Sequence, residues 1–231
     1  MKDWKRILTP AIGLVMLCAC SGDSDDLPAG GAQTGPEAAE WTRVSRLNTY
    51  TDGYGSVIAI AMVENMLDSP LEAVEVAMIL SAADGEELDR TGAQIALLPP
   101  GSASPVKVVF NDGDDTEWDT VEPLVWRARR PEDSAAYTEL RLEDVTDGND
   151  PASSYVHQAS GTVRNVGEGN AGFVMIHAGF FNDQDELVAV AHGGAGGELA
   201  PGGEADFSVG TNTAADDIFR VELFSMARKM D

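Results

Sequence analysis

The sequence predicts an all-β protein with two β-sandwich units in tandem, and three observations lead to this fold class. Short apolar runs, several with period-two alternation, are separated by turns rich in Gly, Pro, Asp and Asn. Neither half contains a convincing 3.6-residue apolar period, which an amphipathic helix would show. Residues 74–88 recur as residues 174–188 at a fixed offset of 100. A repeat of this length indicates a duplicated structural unit.

Two short motifs carry the same duplication. The tripeptide Val63-Glu64-Asn65 recurs as Val163-Arg164-Asn165, again at an offset of 100. The segment Leu98-Pro99-Pro100-Gly101 recurs as Leu199-Ala200-Pro201-Gly202, one residue further along. Because the motifs keep their order and spacing, we expect the same order of strands in both units.

The composition limits the classes of partner. The 231 residues include 39 acidic and 15 basic side chains, and the formal net charge is −24. A chain this acidic repels nucleic acid and anionic membrane surfaces, although acidity also serves simply to keep a protein soluble. The two cysteines, Cys18 and Cys20, lie near the N-terminus, so the predicted units hold no disulfide, cysteine nucleophile or thiolate metal site.

Residues 1–19 have the features of a lipoprotein signal peptide. A basic start precedes an apolar run of about 12 residues, which is too short for the roughly 20 that a membrane-spanning helix needs. The segment Leu17-Cys18-Ala19-Cys20 resembles the bacterial lipobox, and this resemblance implies cleavage before Cys20 and acylation of Cys20. Ser21 after the cysteine implies sorting to the outer membrane. The alternative is an ordinary signal peptide with an incidental cysteine.

Residues 20–40 are predicted to be the acylated cysteine and a disordered tether. The stretch is rich in Ser, Gly, Asp, Pro and Ala and has no apolar period, so it buries too little to order itself. Loss of the signal peptide would remove a net charge of +2 and take the formal charge of the mature chain from −24 to −26.

The first unit, residues 41–131, is predicted to be a small sandwich of short strands. Residues 57–63 form a continuous apolar run bounded by turn residues, which favours a buried strand over a helix. In residues 74–81 apolar side chains alternate with Glu75, Ala77, Ile79 and Ser81, which commits one face to the core. The predicted strands are 41–50, 57–63, 74–81, 94–98, 106–110 and 124–129.

The second unit, residues 132–231, repeats this order. A short linker at residues 130–134 contains Pro131, so we expect two rigid modules in a semi-fixed relation. The predicted strands are 142–148, 156–163, 172–181, 187–191, 205–210 and 219–227.

The repeated motifs resemble the FxLYD domain, a small immunoglobulin-like β-sandwich of bacterial and archaeal envelope proteins, many of them lipoproteins. Both copies keep the Val-x-Asn and Leu-x-Pro-Gly segments, and the first keeps the turn glycine as Gly85, where the second has Asp185. The resemblance covers nearly all of residues 41–228, implies two immunoglobulin-like domains and supplies no catalytic residues. The name-giving positions hold Met78, Leu80, Ser81 and Ala82 in the first copy, and Ala178, Phe180, Phe181 and Asn182 in the second.

An acidic loop is the strongest candidate for a metal site. Calcium prefers six to eight hard oxygen ligands, which closely spaced carboxylates can supply, but the spacing departs from the EF-hand loop. A solvated acidic loop is the simpler interpretation, and a second acidic turn at residues 182–186 is a weaker candidate. The candidate ligands are Asp112, Asp114, Asp115, Glu117 and Asp119.

Aromatic and histidine side chains offer weaker signals. Trp118 lies in a polar loop and is the candidate for contact with a peptide or glycan, whereas the strand pattern around Trp126 predicts a core residue. The spacing of His157, His177 and His192 matches no shared metal site, and we expect His177 to be a partly buried or surface packing residue.

These features predict a membrane-anchored, non-enzymatic envelope lipoprotein that acts as a protein-interaction or structural module, with no cofactor. A partner strand could bind an exposed sheet edge. The alternative is a ligand-binding module that recognises calcium or a glycan through the acidic loops and Trp118. A hydrolase is the least favoured class, because the sequence lacks a Gly-x-Ser-x-Gly elbow.

Overall fold

The computed structural model of the protein describes residues 33–34, 36–110, 117–132, 137–149 and 153–230. Most of these residues lie in strands, and the predicted all-β fold with two immunoglobulin-like β-sandwiches is confirmed. Cys20 lies outside the described residues, as do Asp112, Asp114 and Asp115 of the acidic loop. Within the described ranges, no helix is both long and apolar enough to cross a membrane.

The first unit consists of two facing antiparallel sheets. Its elements are β1 Gln33–Thr34, α1 Pro36–Trp41, β2 Thr42–Thr51, β3 Val57–Asn65, β4 Leu71–Ser81, β5 Glu87–Leu98, β6 Ala103–Phe110 and β7 Thr120–Arg129. One sheet has the order β1-β7-β4-β5 and the other β2-β3-β6. The predicted alternation in β4 is confirmed, since Val74, Val76, Met78 and Leu80 are buried between the sheets.

The second unit repeats strands β2–β7 of the first. Its elements are β8 Leu140–Gly148, β9 His157–Asn165, β10 Asn170–Phe181, β11 Leu187–Gly194, β12 Glu204–Thr211 and β13 Arg220–Met230. Its sheets have the orders β11-β10-β13 and β12-β9-β8, which correspond to β5-β4-β7 and β6-β3-β2. The duplication seen in the sequence is therefore a duplication of a six-stranded sandwich.

The two sandwiches stack through their outer sheet faces, so that four sheets lie in layers. Ala59, Ala61 and Val63 of β3 point into the core of the first unit, while Ile58 and Ile60 point the other way, into a second cluster shared with the second unit. Strand β3 is thus covered on both faces. Strands covered on both faces have continuous rather than alternating apolar sequences, which explains the uninterrupted run at residues 57–63.

The N-terminal boundary of the first unit differs from the prediction. We expected disorder through residue 40, but residues 36–41 form α1, and Ala38 is completely buried in the first core. The hydroxyl of Thr42 donates to the carbonyl of Ala38 at 2.8 Å. Gln33 and Thr34 pair with Ala128 and Arg127 of β7. The sequence pattern missed this segment because one small buried side chain in a polar stretch gives no periodic signal.

Candidate functional site

The two units contact each other through an apolar interface that both of them line. Ile58, Ile60 and Met62 of β3 pack against Phe181 and Leu187 of the second unit, and all five side chains are at most 4% exposed. Tyr50 extends this cluster on the first unit, and partly buried Val190 and Phe224 extend it on the second. The two units therefore share a true apolar core at their contact.

The two copies differ on one outer sheet face: the face of β3 contacts the other unit, and the corresponding face of β9 does not. Because Asn65 corresponds to Asn165, Ile58, Ile60 and Met62 correspond to Gln158, Ser160 and Thr162. These three polar residues lie on β9 and are only partly buried. The β3 face is thus apolar at the positions that contact the second unit, while the same face of β9 is polar.

Polar contacts from the first unit surround the turn between β10 and β11. The guanidinium of Arg46 donates to a carboxylate oxygen of Asp185 at 2.7 Å and to its backbone oxygen at 3.0 Å. The Asn48 amide donates to the carbonyl of Leu187 at 2.8 Å. Arg46 and Arg220 also approach the ring of Phe181, at 4.9 and 4.0 Å from its centroid, which favours cation–π attraction.

Asp185 occupies the turn position that Gly85 holds in the first copy. Its φ is 65°, in the left-handed region, and Gly85 at the corresponding position has a φ of 85°. Asp tolerates this region better than most residues do. The hydrogen bond from Arg220 and the charge of Arg46 lower the pKa of the Asp185 carboxyl. The substitution therefore places a charged side chain at the contact between the units.

His177 lies on the docked face of β10. Its Nδ1 is 3.4 Å from the hydroxyl of Ser104 on β6, and its ring centroid is 6.0 Å from that of His192. Burial, helped by the nearby His192, lowers the pKa of His177 from 6.5 to about 4. His177 is partly buried, in agreement with the expectation of a packing residue, and it packs between units rather than at a free surface.

A buried carboxylate forms an ion pair across the other end of the interface. Glu72 is only 7% exposed, and it forms ion pairs with Arg129 of its own unit and with Arg228 of the second unit, the latter at 3.3 Å. A buried carboxylate needs such partners, since an unpaired charge away from water is strongly unfavourable. Both ends of the contact are thus held by charged groups that cross it.

The repeated motifs form a buried turn lock in each unit. Asn165 is 0% exposed; its amide nitrogen donates to the carbonyls of Gly169 and Leu199 at 2.8 Å each, and its Oδ1 accepts from the Gly167 N–H at 3.0 Å. In the first unit the amide of Asn65 reaches the carbonyls of Ser69 and Leu98 in the same way. The Val-x-Asn and Leu-x-Pro-Gly segments therefore contact each other through the asparagine.

Both turn locks depend on a glycine at the end of the Leu-x-Pro-Gly segment. Gly101 and Gly202 have φ values of 59° and 76°, which β-branched or bulky side chains rarely adopt. Asn65 joins the turn after β3 to Leu98 at the end of β5, and Asn165 joins the turn after β9 to Leu199, which lies beyond the end of β11. Sequence comparison found both segments but gave no sign that they are hydrogen-bonded partners.

Of the five residues predicted for the acidic-loop site, the structure describes Glu117 and Asp119. Both are exposed, and the Asp119 N–H donates to the Ser81 carbonyl at 2.8 Å. Within the described residues no group of three or more His, Cys, Asp or Glu side chains is placed to hold a metal ion. The calcium hypothesis for Asp112, Asp114 and Asp115 falls on residues outside the described part.

The burial of both tryptophans differs from what their sequence context predicted. Trp118, expected to be the exposed contact residue, is partly buried and packs against the core of the first unit. Trp126, expected in the core, is 41% exposed. Trp126 follows buried Val125, so ordinary alternation places it on the outer face of β7 together with exposed Leu124. The β4–β7 register shifts at this point, and the bulge lets Ala128 rather than Arg127 point into the core.

The second acidic turn uses its polar groups internally. The Oδ1 of Asn182 accepts the N–H groups of Gln184 and Glu186 at 3.1 and 2.9 Å, and its amide nitrogen donates to the Glu186 carboxylate at 2.8 Å. The amide nitrogen also lies 3.4 Å from an Asp216 carboxylate oxygen. The amide N–H groups of Asn182 therefore lie among the oxygens that would bind the cation in the weaker metal hypothesis.

Comparisons with known proteins leave the family open. No family model matches the chain and no curated protein matches it, so the FxLYD resemblance stays a prediction. Among solved structures, the chain is similar to red sea bream transglutaminase, with 12% identity over 79% of this chain and 29% of that one and a TM-score of 0.23. The chain thus spans less than a third of that protein, and the similarity carries no argument about function.

Proposed function

We propose that the protein is a lipid-anchored, non-enzymatic envelope protein whose two stacked sandwiches form a rigid module for protein interaction or structural support. The observation that carries the proposal is the contact between the units, in which an outer sheet face binds another protein surface through Ile58, Ile60 and Met62. One sheet face of the first unit thus binds a second folded unit.

The anchor is the part of the proposal that rests on sequence alone. Acylation at Cys20 would leave only residues 21–32 between the bilayer and β1. Twelve residues span at most about 40 Å when fully extended. The folded body would therefore stay close to the membrane surface, and a partner would be another envelope protein within that reach.

The test is mild cross-linking of the acylated protein in its own envelope, followed by mass spectrometry. We expect a defined protein partner whose yield falls strongly in a Cys20→Ala variant, because the unanchored protein is no longer concentrated at the membrane. Equal recovery of that partner with the Cys20→Ala variant would contradict the role of the anchor. Absence of any specific partner with the acylated form would contradict the interaction module itself.

A further inference from the structure

Two of the three histidines of the chain form a cross-strand pair at the rim of the interface between the units. His177 of β10 and His192 of β11 stand directly opposite each other in the register of the hairpin. Directly opposed side chains lie on the same face of a sheet, and the two ring centroids are 6.0 Å apart, with an angle of 34° between the ring planes. His177 is partly buried and His192 is exposed, so the pair is open to solvent on one side.

The first unit has no such pair at the corresponding positions. There Ala77 of β4 stands opposite Gly92 of β5, and the fixed offset of 100 relates these two residues to His177 and His192. The same sandwich therefore folds with the two smallest side chains at both positions. The shared fold does not explain the histidines, so the pair needs an explanation that is specific to the second unit.

Ser104 of the first unit orients one ring of this pair. Ser104 lies on β6 and is 0% exposed, and its hydroxyl oxygen is 3.4 Å from Nδ1 of His177 and 3.4 Å from the carbonyl oxygen of Pro105. A carbonyl can only accept, so the hydroxyl donates to Pro105 and accepts from the Nδ1–H of His177. This arrangement leaves Nε2 of His177 without a proton, and a neutral ring nitrogen in that state is a metal ligand.

The geometry and protonation of the pair suit a transition-metal ion. Imidazole nitrogens bind divalent first-row metals, and along that series the affinity is highest for Cu²⁺. Two imidazoles on one ion at about 2.1 Å have ring centroids roughly 5 Å apart, so the pair needs to close by only about 1 Å. Burial lowers the pKa of His177 to about 4, which keeps the ring neutral at neutral pH, as metal binding requires. Among the described residues no third His, Cys, Asp or Glu joins the pair, so water completes the coordination.

We propose that His177 and His192 bind a divalent transition-metal ion, with Cu²⁺ held most tightly, and that Ser104 orients His177 for this role. The second unit supplies both protein ligands, whereas the hydrogen bond that sets the ring of His177 comes from the first unit. Metal binding is therefore linked to stacking, because the ion binds the stacked form better than separated units and stabilises it. The inference goes beyond the proposed function and requires neither the lipid anchor nor an envelope partner.

Calorimetric titration of the purified full-length chain with Cu²⁺ tests the site. Cys18 and Cys20 are replaced by alanine so that no thiolate competes for the ion. Excess Mg²⁺ is present to occupy surface carboxylates, because this hard cation prefers oxygen ligands and leaves imidazole free. We expect a single site per chain whose affinity falls by about tenfold or more in His192→Ala. This variant alters an exposed side chain, so it keeps the fold.

The third histidine provides the matched control. His157 lies on β9 in the other sheet of the second unit, where its Nε2 is 3.1 Å from a carboxylate oxygen of Asp147. His157→Ala removes an imidazole of the same chemistry that does not belong to the pair. We expect this variant to bind Cu²⁺ with the affinity of the parent chain. A loss equal to that of His192→Ala would show that any histidine of the chain serves, and the inference would fall.

Electron paramagnetic resonance of the Cu²⁺ complex identifies the ligands. Coordinated imidazoles give nitrogen couplings, so we expect the signal of two nitrogens in the parent chain and the loss of at least one in His177→Ala and in His192→Ala. Ser104→Ala should keep both nitrogens and weaken the affinity by about tenfold, because loss of the hydrogen bond behind a ligating histidine costs about 10–100-fold. Retention of both nitrogens with weaker binding distinguishes a positioning role of Ser104 from direct ligation.

The outcomes separate this inference from the proposed function. Equal affinity in the parent chain and His192→Ala, or a copper signal without nitrogen couplings, would overturn the metal site, since surface carboxylates alone would then hold the ion. Unchanged affinity in Ser104→Ala would overturn the contribution of the first unit and the link to stacking. None of these results bears on the proposed function, which cross-linking at the membrane tests.

Discussion

Replacement of Ile60 by alanine measures how strongly the two units hold each other. Ile60 is 0% exposed, and its side chain points away from the first core into the cluster with Phe181 and Leu187. The change removes three carbon atoms, worth about 0.8 kcal/mol each in transfer free energy, and leaves a cavity. We therefore expect the free energy of unfolding to fall by about 2–4 kcal/mol.

Ser160→Ala is the matched control, because Ser160 occupies the corresponding position on the undocked face of β9. It should change the free energy of unfolding by no more than about 0.5 kcal/mol. Urea denaturation of the wild type and the variants Ile60→Ala, Phe181→Ala and their double mutant gives the coupling energy across the interface, expected at about 0.5–3 kcal/mol. If Ile60→Ala costs no more than Ser160→Ala, or the coupling is zero, the stacked arrangement is wrong.

Four further substitutions test the other contacts. The pKa of His177 is about 4 in the folded protein and about 6.5 in the unfolded chain, so between these pH values only the unfolded chain binds the proton. The free energy of unfolding should therefore fall by about 3 kcal/mol as the pH drops from about 6.5 to about 4. His177→Ala should reduce this dependence of the unfolding free energy on pH. Asn65→Ala and Asn165→Ala should each lower the free energy of unfolding by about 1–3 kcal/mol, since buried carbonyls lose their donor; an unchanged urea midpoint would contradict the turn lock. Glu72→Gln should cost about 1–3 kcal/mol, less than a fully buried ion pair because its arginines are partly exposed, and a stability that does not change would show that these ion pairs contribute nothing.

The fold class followed from local patterns, and the contact between the units did not. Alternation in residues 74–81 and the repeated motifs were enough to predict two sandwiches, since strand period and turn residues act over short distances. The continuous apolar run at 57–63 indicated burial, but it did not show that the second face of this strand is covered by the other unit. The comparison of Ile60 with Ser160 was the available signal, because aligned copies differ most where their surroundings differ.

The aromatic residues show a second limit of the sequence patterns. The strand pattern placed Trp126 in the core, but Trp126 follows buried Val125 and faces outward, and the register shift in the β4–β7 pairing turns Ala128 inward instead. A bulge reverses the alternation of side chains from one residue to the next, and turn residues give no warning of it inside a strand. Trp118 was assigned to the surface by its polar neighbours, although its large apolar ring finds room against the first core.

The stacking of one sheet face on a different sheet face has a consequence for assembly. A head-to-tail contact between unlike surfaces is heterologous, and repetition of such a contact builds open filaments rather than closed oligomers. A chain with two copies of the same sandwich could in principle continue the series with every new molecule. Gln158, Ser160 and Thr162 stand where the next module would need the apolar side chains of β3, so they act as a polar cap that ends the stack at two sandwiches.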